Sequence, residues 1–153
     1  MEQKTKINAE EGKQEIVITR TFDLPVKLLF RAYTEAELIE QWMGNKVLKI
    51  ENTDHGSYKF ETRDDKGNLL FSANGTIHKI VENKNITRTF EMENTGFPVQ
   101  LEFLDFDAVA DNTSKLTIKI VFRTVTDRDN MLQLPFAYGI NMAHDNLERI
   151  IGK

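Results

Sequence analysis

The chain contains no cysteine, which excludes disulfides, thiolate nucleophiles and cysteine-based zinc sites. Serine is scarce. Ser57, Ser72 and Ser114 are the whole set, and none lies in a Gly-x-Ser-x-Gly elbow, so nucleophilic hydrolysis has no motif behind it. There are three histidines, His55, His78 and His144, with no i, i+4 pair among them, so no metal site is expected. Glycine-rich phosphate loops and dinucleotide fingerprints are absent, and no cofactor is expected. There is no excess of positive charge. The formal net charge of -4 argues against a general affinity for nucleic acid or for anionic membrane. No apolar run reaches membrane-spanning length, and the first residues lack the apolar core of a signal peptide. A cytoplasmic protein without membrane insertion is the expectation.

What is present is apolar, aromatic and alternating. The 153 residues suit one domain with a substantial core, and most of the ten phenylalanines must be buried. Residues 1–13 are polar and read as a flexible arm, with the domain itself expected over 14–153. From Gln14 to Phe22 the residues Ile16, Ile18 and Phe22 share one strand face, and Arg20 interrupts it. Asp23-Leu24-Pro25 ends that strand. Val26, Leu29, Phe30 and Tyr33 then follow at helical spacing. Thr34 with Glu37 three residues on reads as a capping box for a second short helix bearing Leu38, Ile39 and Trp42.

From Lys46 to Phe122 nearly every segment alternates. Turns are expected at His55-Gly56, Asp64 to Asn68, Lys84-Asn85, Asn94 to Pro98 and Asp111-Asn112. Gly75, in the middle of a long strand, predicts a bulge or bend. Val99, Leu101 and Phe103 alternate in one phase, and Leu104, Phe106 and Ala108 in the other, which predicts a second bulge near Phe103. The chain closes on an amphipathic helix. Ile140, Ala143, Leu147, Ile150 and Ile151 make one stripe, and Met131, Leu134, Tyr138 and Met142 run beside it. Pro135 places the start of the main helix at about Phe136, with a short helical turn before it. Strands, two tandem helices, a meander and a final helix make an α+β fold with the helices on one face of a curved antiparallel sheet.

Few residues offer chemistry. Asp105 and Asp107 share a strand face flanking Phe106, with Glu102 on an uncertain phase because of the expected slip; solvent exposure is the favoured reading of the pair. His144 and Asp145 diverge by about a hundred degrees on a helix and form no dyad. Arg20, if it points inward, could fix an acidic ligand group.

The order of motifs resembles the SRPBCC, or START-like helix-grip, superfamily. The residues that carry this are Ile18-Thr19-Arg20-Thr21-Phe22-Asp23-Leu24-Pro25, Leu29 to Thr34, then Leu38, Gln41 and Trp42. Gly56 to Phe60, Gly75 to Ile80, Ile86 to Phe90, Gly139 and Leu147 to Ile150 continue it. Within the superfamily the chain looks like the branch homologous to activators of the heat-shock-protein-ninety ATPase. It departs from that branch at Met43 and Ile140, where tryptophan is common.

The resemblance implies a curved sheet wrapped around the long C-terminal helix, with a cavity between them for a small hydrophobic or amphipathic ligand. It also implies a stress-related role as one context. Pocket candidates on this reading are Tyr138, Met142, Trp42, Tyr58, Phe60, Phe71, Phe90, Phe103, Phe106 and Arg20. The alternatives are a cyclase, dehydratase or hydrolase on the same fold, and a partner-binding module that contacts a chaperone. No catalytic motif is found, and binding without catalysis is favoured. The chain is expected to be a monomer or a homodimer.

Overall fold

A computed structural model describes residues 4–152. Eight strands form one antiparallel sheet, β1 (Lys6–Asn8), β2 (Glu15–Phe22), β3 (Lys46–Ile50), β4 (Gly56–Arg63), β5 (Leu69–Val81), β6 (Asn85–Met92), β7 (Gln100–Ala110) and β8 (Thr113–Val121). Their order is β1-β2-β8-β7-β6-β5-β4-β3. The helices α1 (Val26–Thr34) and α2 (Ala36–Met43) join β2 to β3, which lie near opposite edges of the sheet. The helices α3 (Val125–Gln133) and α4 (Phe136–Ile151) follow β8. No described helix is long and apolar enough to cross a membrane.

Strand alternation sets which side chains reach the helices. Ile16, Ile18, Arg20 and Phe22 from β2, Leu116, Ile118 and Ile120 from β8, and Leu104 and Phe106 from β7 share the buried inner face. Tyr58 and Phe60 on β4 continue it, with Ala73 and Ile77 on β5 and Ile86 on β6. Against that face α4 presents His144, Leu147 and Ile151, and α2 presents Ile39 and Trp42. The helices are tied to one another as well: Asn146 Nδ2 donates to the carbonyl of Trp42 at 2.8 Å.

The final helix begins at Phe136, directly after Pro135, as the proline requires. Several local expectations need correction. The segment before Pro135 is a full helix, α3, capped by Thr124, whose hydroxyl oxygen accepts from the Asp127 amide at 3.0 Å. The Thr34–Glu37 capping box does not form; Thr34 donates instead to the carbonyl of Phe30 at 3.0 Å, inside the preceding helix. Part of the expected arm is structured. Residues 6–8 pair with β2, and Thr5 is buried, while residues 1–3 lie outside the described part.

The strand irregularities also move. β5 slips its register against β6 between Ile77 and Lys79, at His78 and not at Gly75. β7 pairs with β8 without a break from Leu101 to Ala108, so there is no bulge at Phe103. Its inner line is Gln100, Glu102, Leu104 and Phe106, all buried. Two polar residues in that line, and not a slip of the backbone, break the apolar pattern.

Candidate functional site

Two adjacent strands, β6 and β7, bring a polar group onto the inner face. Arg88 on β6 lies opposite Glu102 on β7, and the next inward pair is Phe90 and Gln100. Arg88 Nε donates to Glu102 Oε1 at 2.9 Å, and Gln100 Nε2 donates to Glu102 Oε2 at 2.8 Å. Both oxygens of the carboxylate are thus occupied. The Arg88 guanidinium stands 5.2 Å over the centre of the Tyr58 ring from β4, a cation–π geometry. Burial acts against its charge, but Tyr58 and Glu102 outweigh that and hold it more firmly protonated. Burial pushes the Tyr58 phenol up. Its hydroxyl donates to the Thr89 carbonyl at 2.5 Å.

Tyr58 fits there because Gly75 faces it across the β4–β5 ladder. A Cβ at position 75 would run into the Tyr58 ring and the Thr89 carbonyl oxygen. The glycine expected to bend the strand is a slot for an aromatic side chain. Around this polar group the inner face is aromatic. Phe60 packs on Tyr58 with ring centres 5.2 Å apart. Phe71 lies on the same face opposite Thr62, half-buried, and Phe90 is half-buried beside Arg88. Arg88 keeps 14% of its side chain exposed, so this end of the inner face is reached by solvent.

A second polar group holds the N-terminal strand and α4 together. His144 is fully buried, with Nδ1 2.9 Å from the Thr5 hydroxyl and Nε2 3.0 Å from the Tyr33 hydroxyl. Its ring packs edge-on against Phe22. Burial, reinforced by Arg20 and opposed by Asp145, pushes its pKa down to about 3, so the ring is neutral at neutral pH. Burial likewise raises the Tyr33 phenol. Arg20 points inward, as its strand phase implied, but its Nη1 lies 2.8 Å from Asp145 and 3.1 Å from the Thr5 hydroxyl. Its Nη2 lies 3.4 Å from Glu148. Its Nε is buried without a partner among the described residues.

The ten pocket candidates therefore divide. Tyr58, Phe60, Phe71 and Phe90 share the aromatic end of the inner face. Trp42 and Phe106 are structural: Trp42 Nε1 donates to the Ala32 carbonyl at 2.7 Å, and Phe106 packs between Phe30 and Tyr33. Phe103 pairs with Thr87 and Lys119 on the opposite face of the sheet. Tyr138 and Met142 are 61% and 51% exposed and point away from the sheet, because the helix buries only the stripe through His144, Leu147 and Ile151. Arg20 is committed to α4. Arg88, Glu102 and Gln100 were not among the candidates. The signal for Arg88 was there: it interrupts the face of Ile86 and Phe90 just as Arg20 interrupts that of Ile18 and Phe22.

Of the ionisable residues a catalytic reading would draw inward, His78, Asp105 and Asp107 are exposed. Arg20 and His144 lie inside, already engaged. Among the described residues no group of three or more His, Asp or Glu could hold a metal ion. Two recesses open on the surface. One, about 720 Å³, lies between the start of α1 and the β6–β7 strands, with Asp105 and Asp107 on its wall. The other, about 480 Å³, lies between the end of α2 and β4. Neither is lined by α4.

Solved structures share this architecture. A protein from Rhodobacter sphaeroides superposes with a TM-score of 0.85 at 15% identity, covering 97% of this chain and 98% of that one. The protein Ms6760 from Mycobacterium smegmatis gives 0.82 at 16% identity, with 95% of each chain covered. CalU16 from Micromonospora echinospora gives 0.70 at 18% identity, covering 98% of this chain and 83% of its own. At such identities the likeness is one of fold. No curated protein matches the chain. The family model for Activator of Hsp90 ATPase homolog 1-like protein matches residues 23–152, from the end of β2 through the last turn of α4. The chain belongs to that family.

Proposed function

We propose that the chain binds a small, largely apolar ligand on the inner face of the sheet, between it and α4. The Arg88–Glu102–Gln100 group is its polar anchor, and Phe60, Phe71 and Phe90 are its walls. One observation carries this reading. An ion pair stands among aromatic side chains at the end of the inner face where Phe71 and Phe90 are only half-buried. A buried ion pair costs desolvation energy and is weak as a stability device. A few convergent polar groups among aromatic side chains are what orients a ligand in an apolar site.

The alternative of partner binding needs an exposed apolar patch elsewhere. Tyr138 and Met142 on α4, with Leu134 before it, supply one. Three side chains are few beside the ~800 Å² that each partner buries in a specific interface. Ligand binding stands first for that reason.

The test is native mass spectrometry and thermal shift with a panel of aromatic, sterol-like and fatty compounds, on the wild type and on Phe90→Asp. The expected result is a retained or added mass, with a raised melting temperature, in the wild type and neither in the variant. If no compound shifts the wild type, or all shift both proteins alike, the ligand does not sit on this face.

A further inference from the structure

The Arg88 group keeps hydrogen-bond donors that no protein acceptor takes up. Arginine carries five N–H donors, and Nε uses its own on Glu102, leaving the four on Nη1 and Nη2. No acceptor among the described residues meets them. Glu102 accepts from Arg88 and Gln100, and the Tyr58 hydroxyl donates to Thr89. The charges cancel, one guanidinium against one carboxylate 2.9 Å away. The group therefore presents guanidinium donors without a protein partner and carries no net charge.

From these unpartnered donors we propose that the ligand of this site carries a neutral hydrogen-bond acceptor, a ketone, ester or amide carbonyl, on a flat apolar skeleton, and that acids are rejected. The proposal rests on the ligand-binding reading above and names the chemistry of the ligand's polar end. A carbonyl oxygen takes up the free Nη donors and adds no charge to a partly desolvated site. A carboxylate meets the same donors but brings a negative charge beside Glu102, with no second cation paired to the group among the described residues. Like charges held together in such a site oppose each other's ionisation, and an uncompensated charge away from water is costly. The flat skeleton follows from the walls: Phe60 and Tyr58 stack at a tilt, and Phe71 and Phe90 share their face.

Glu102 is then a specificity-determining residue. Replacing it by glutamine keeps the shape and an acceptor for Arg88 Nε, but leaves the guanidinium uncompensated. The preference should invert.

The experiment uses matched probes on two skeletons, naphthyl methyl ketone against naphthoate and pyrenyl methyl ketone against pyrene carboxylate. Binding is followed by fluorescence and by NMR shifts of the Arg88 and Phe90 amides, with wild type and Glu102→Gln. In the wild type each ketone binds at least about tenfold more tightly than its acid, and in Glu102→Gln the acid gains at least about tenfold, the scale of 1.4 kcal/mol. An acid that binds the wild type as well as its ketone overturns the proposal and leaves the site standing. An unchanged preference in a folded Glu102→Gln also overturns it. If that variant does not fold, the wild-type comparison decides alone. If no probe on either skeleton moves Arg88 or Phe90, the site reading falls and takes the proposal with it.

Discussion

Gly75 shows how much one residue can carry. Its lack of a side chain admits the Tyr58 ring, and the ring in turn lies under Arg88. Gly75→Ala should therefore displace Tyr58 as well as crowd the Thr89 carbonyl. Overpacking of this kind costs about 1–3 kcal/mol. Urea denaturation measures it; a loss below about 0.5 kcal/mol, the range of ordinary surface changes, would mean the two strands part without cost. This role was not legible in the sequence. A glycine inside a strand signals a bulge and a close approach equally, and only the pairing of Tyr58 with Gly75 separates them. Arg20 was legible as an inward residue from strand phase alone. Its partners were not, since Asp145 and Glu148 lie more than a hundred residues away in the chain.

At the scale of elements, the strands, the tandem helices and the start of α4 could be read from alternation and from Pro25 and Pro135. The phase of β7 could not, and the cause is chemical. Gln100 and Glu102 face inward because Arg88 faces them, so the apolar residues Leu101 and Phe103 that follow the helix-distal phase suggested a slip. Sequence patterns fail where a fold accepts a polar interior. The N-terminal strand was missed for another reason. Three paired residues are too short for a periodic signal, and what secures them is Thr5, whose amide donates to Asn141 Oδ1 at 3.1 Å. The Thr5 hydroxyl also meets His144 and accepts from Arg20. Thr5→Val keeps the shape and removes that hydroxyl, leaving a ring nitrogen and a guanidinium N–H without this partner. Unsatisfied buried groups cost about 1–3 kcal/mol, so a loss of about 2 kcal/mol is expected. Hydrogen exchange in residues 6–8 and in β2 should also accelerate. An unchanged exchange pattern would show that β1 holds by its backbone pairing alone.

Across the whole molecule, the interior holds two polar groups besides single buried residues such as Ser114 and Arg128, and the group around His144 answers to acid differently from the surface. His144 is faced by Arg20 from β2, Tyr33 from α1, Thr5 from the N-terminal segment and Asp145 from its own helix. Its folded pKa lies at about 3, below the ordinary 6.5. The unfolded chain therefore binds a proton at this ring before the folded one does, and stability rises with pH in between. The contribution is whole above about 6.5 and is lost progressively as the pH falls towards about 3. Each pH step in that window is worth about 1.4 kcal/mol, so by pH 4.5 the loss is on the order of 3 kcal/mol, a sizeable part of an ordinary domain's stability. Surface carboxylates held low by hydrogen bonds, Glu35, Glu51, Asp54, Asp64 and Glu93, also lose stability in acid. Theirs is lost around and below the usual carboxylate range of about 4, so the span from 6.5 to 4.5 belongs to the histidine. Urea midpoints taken across that span should fall steadily for the wild type and stay nearly level for His144→Gln, whose starting stability is lower. A level wild-type curve, or an equally steep one for the variant, would remove His144 as the acid-sensitive element of this fold.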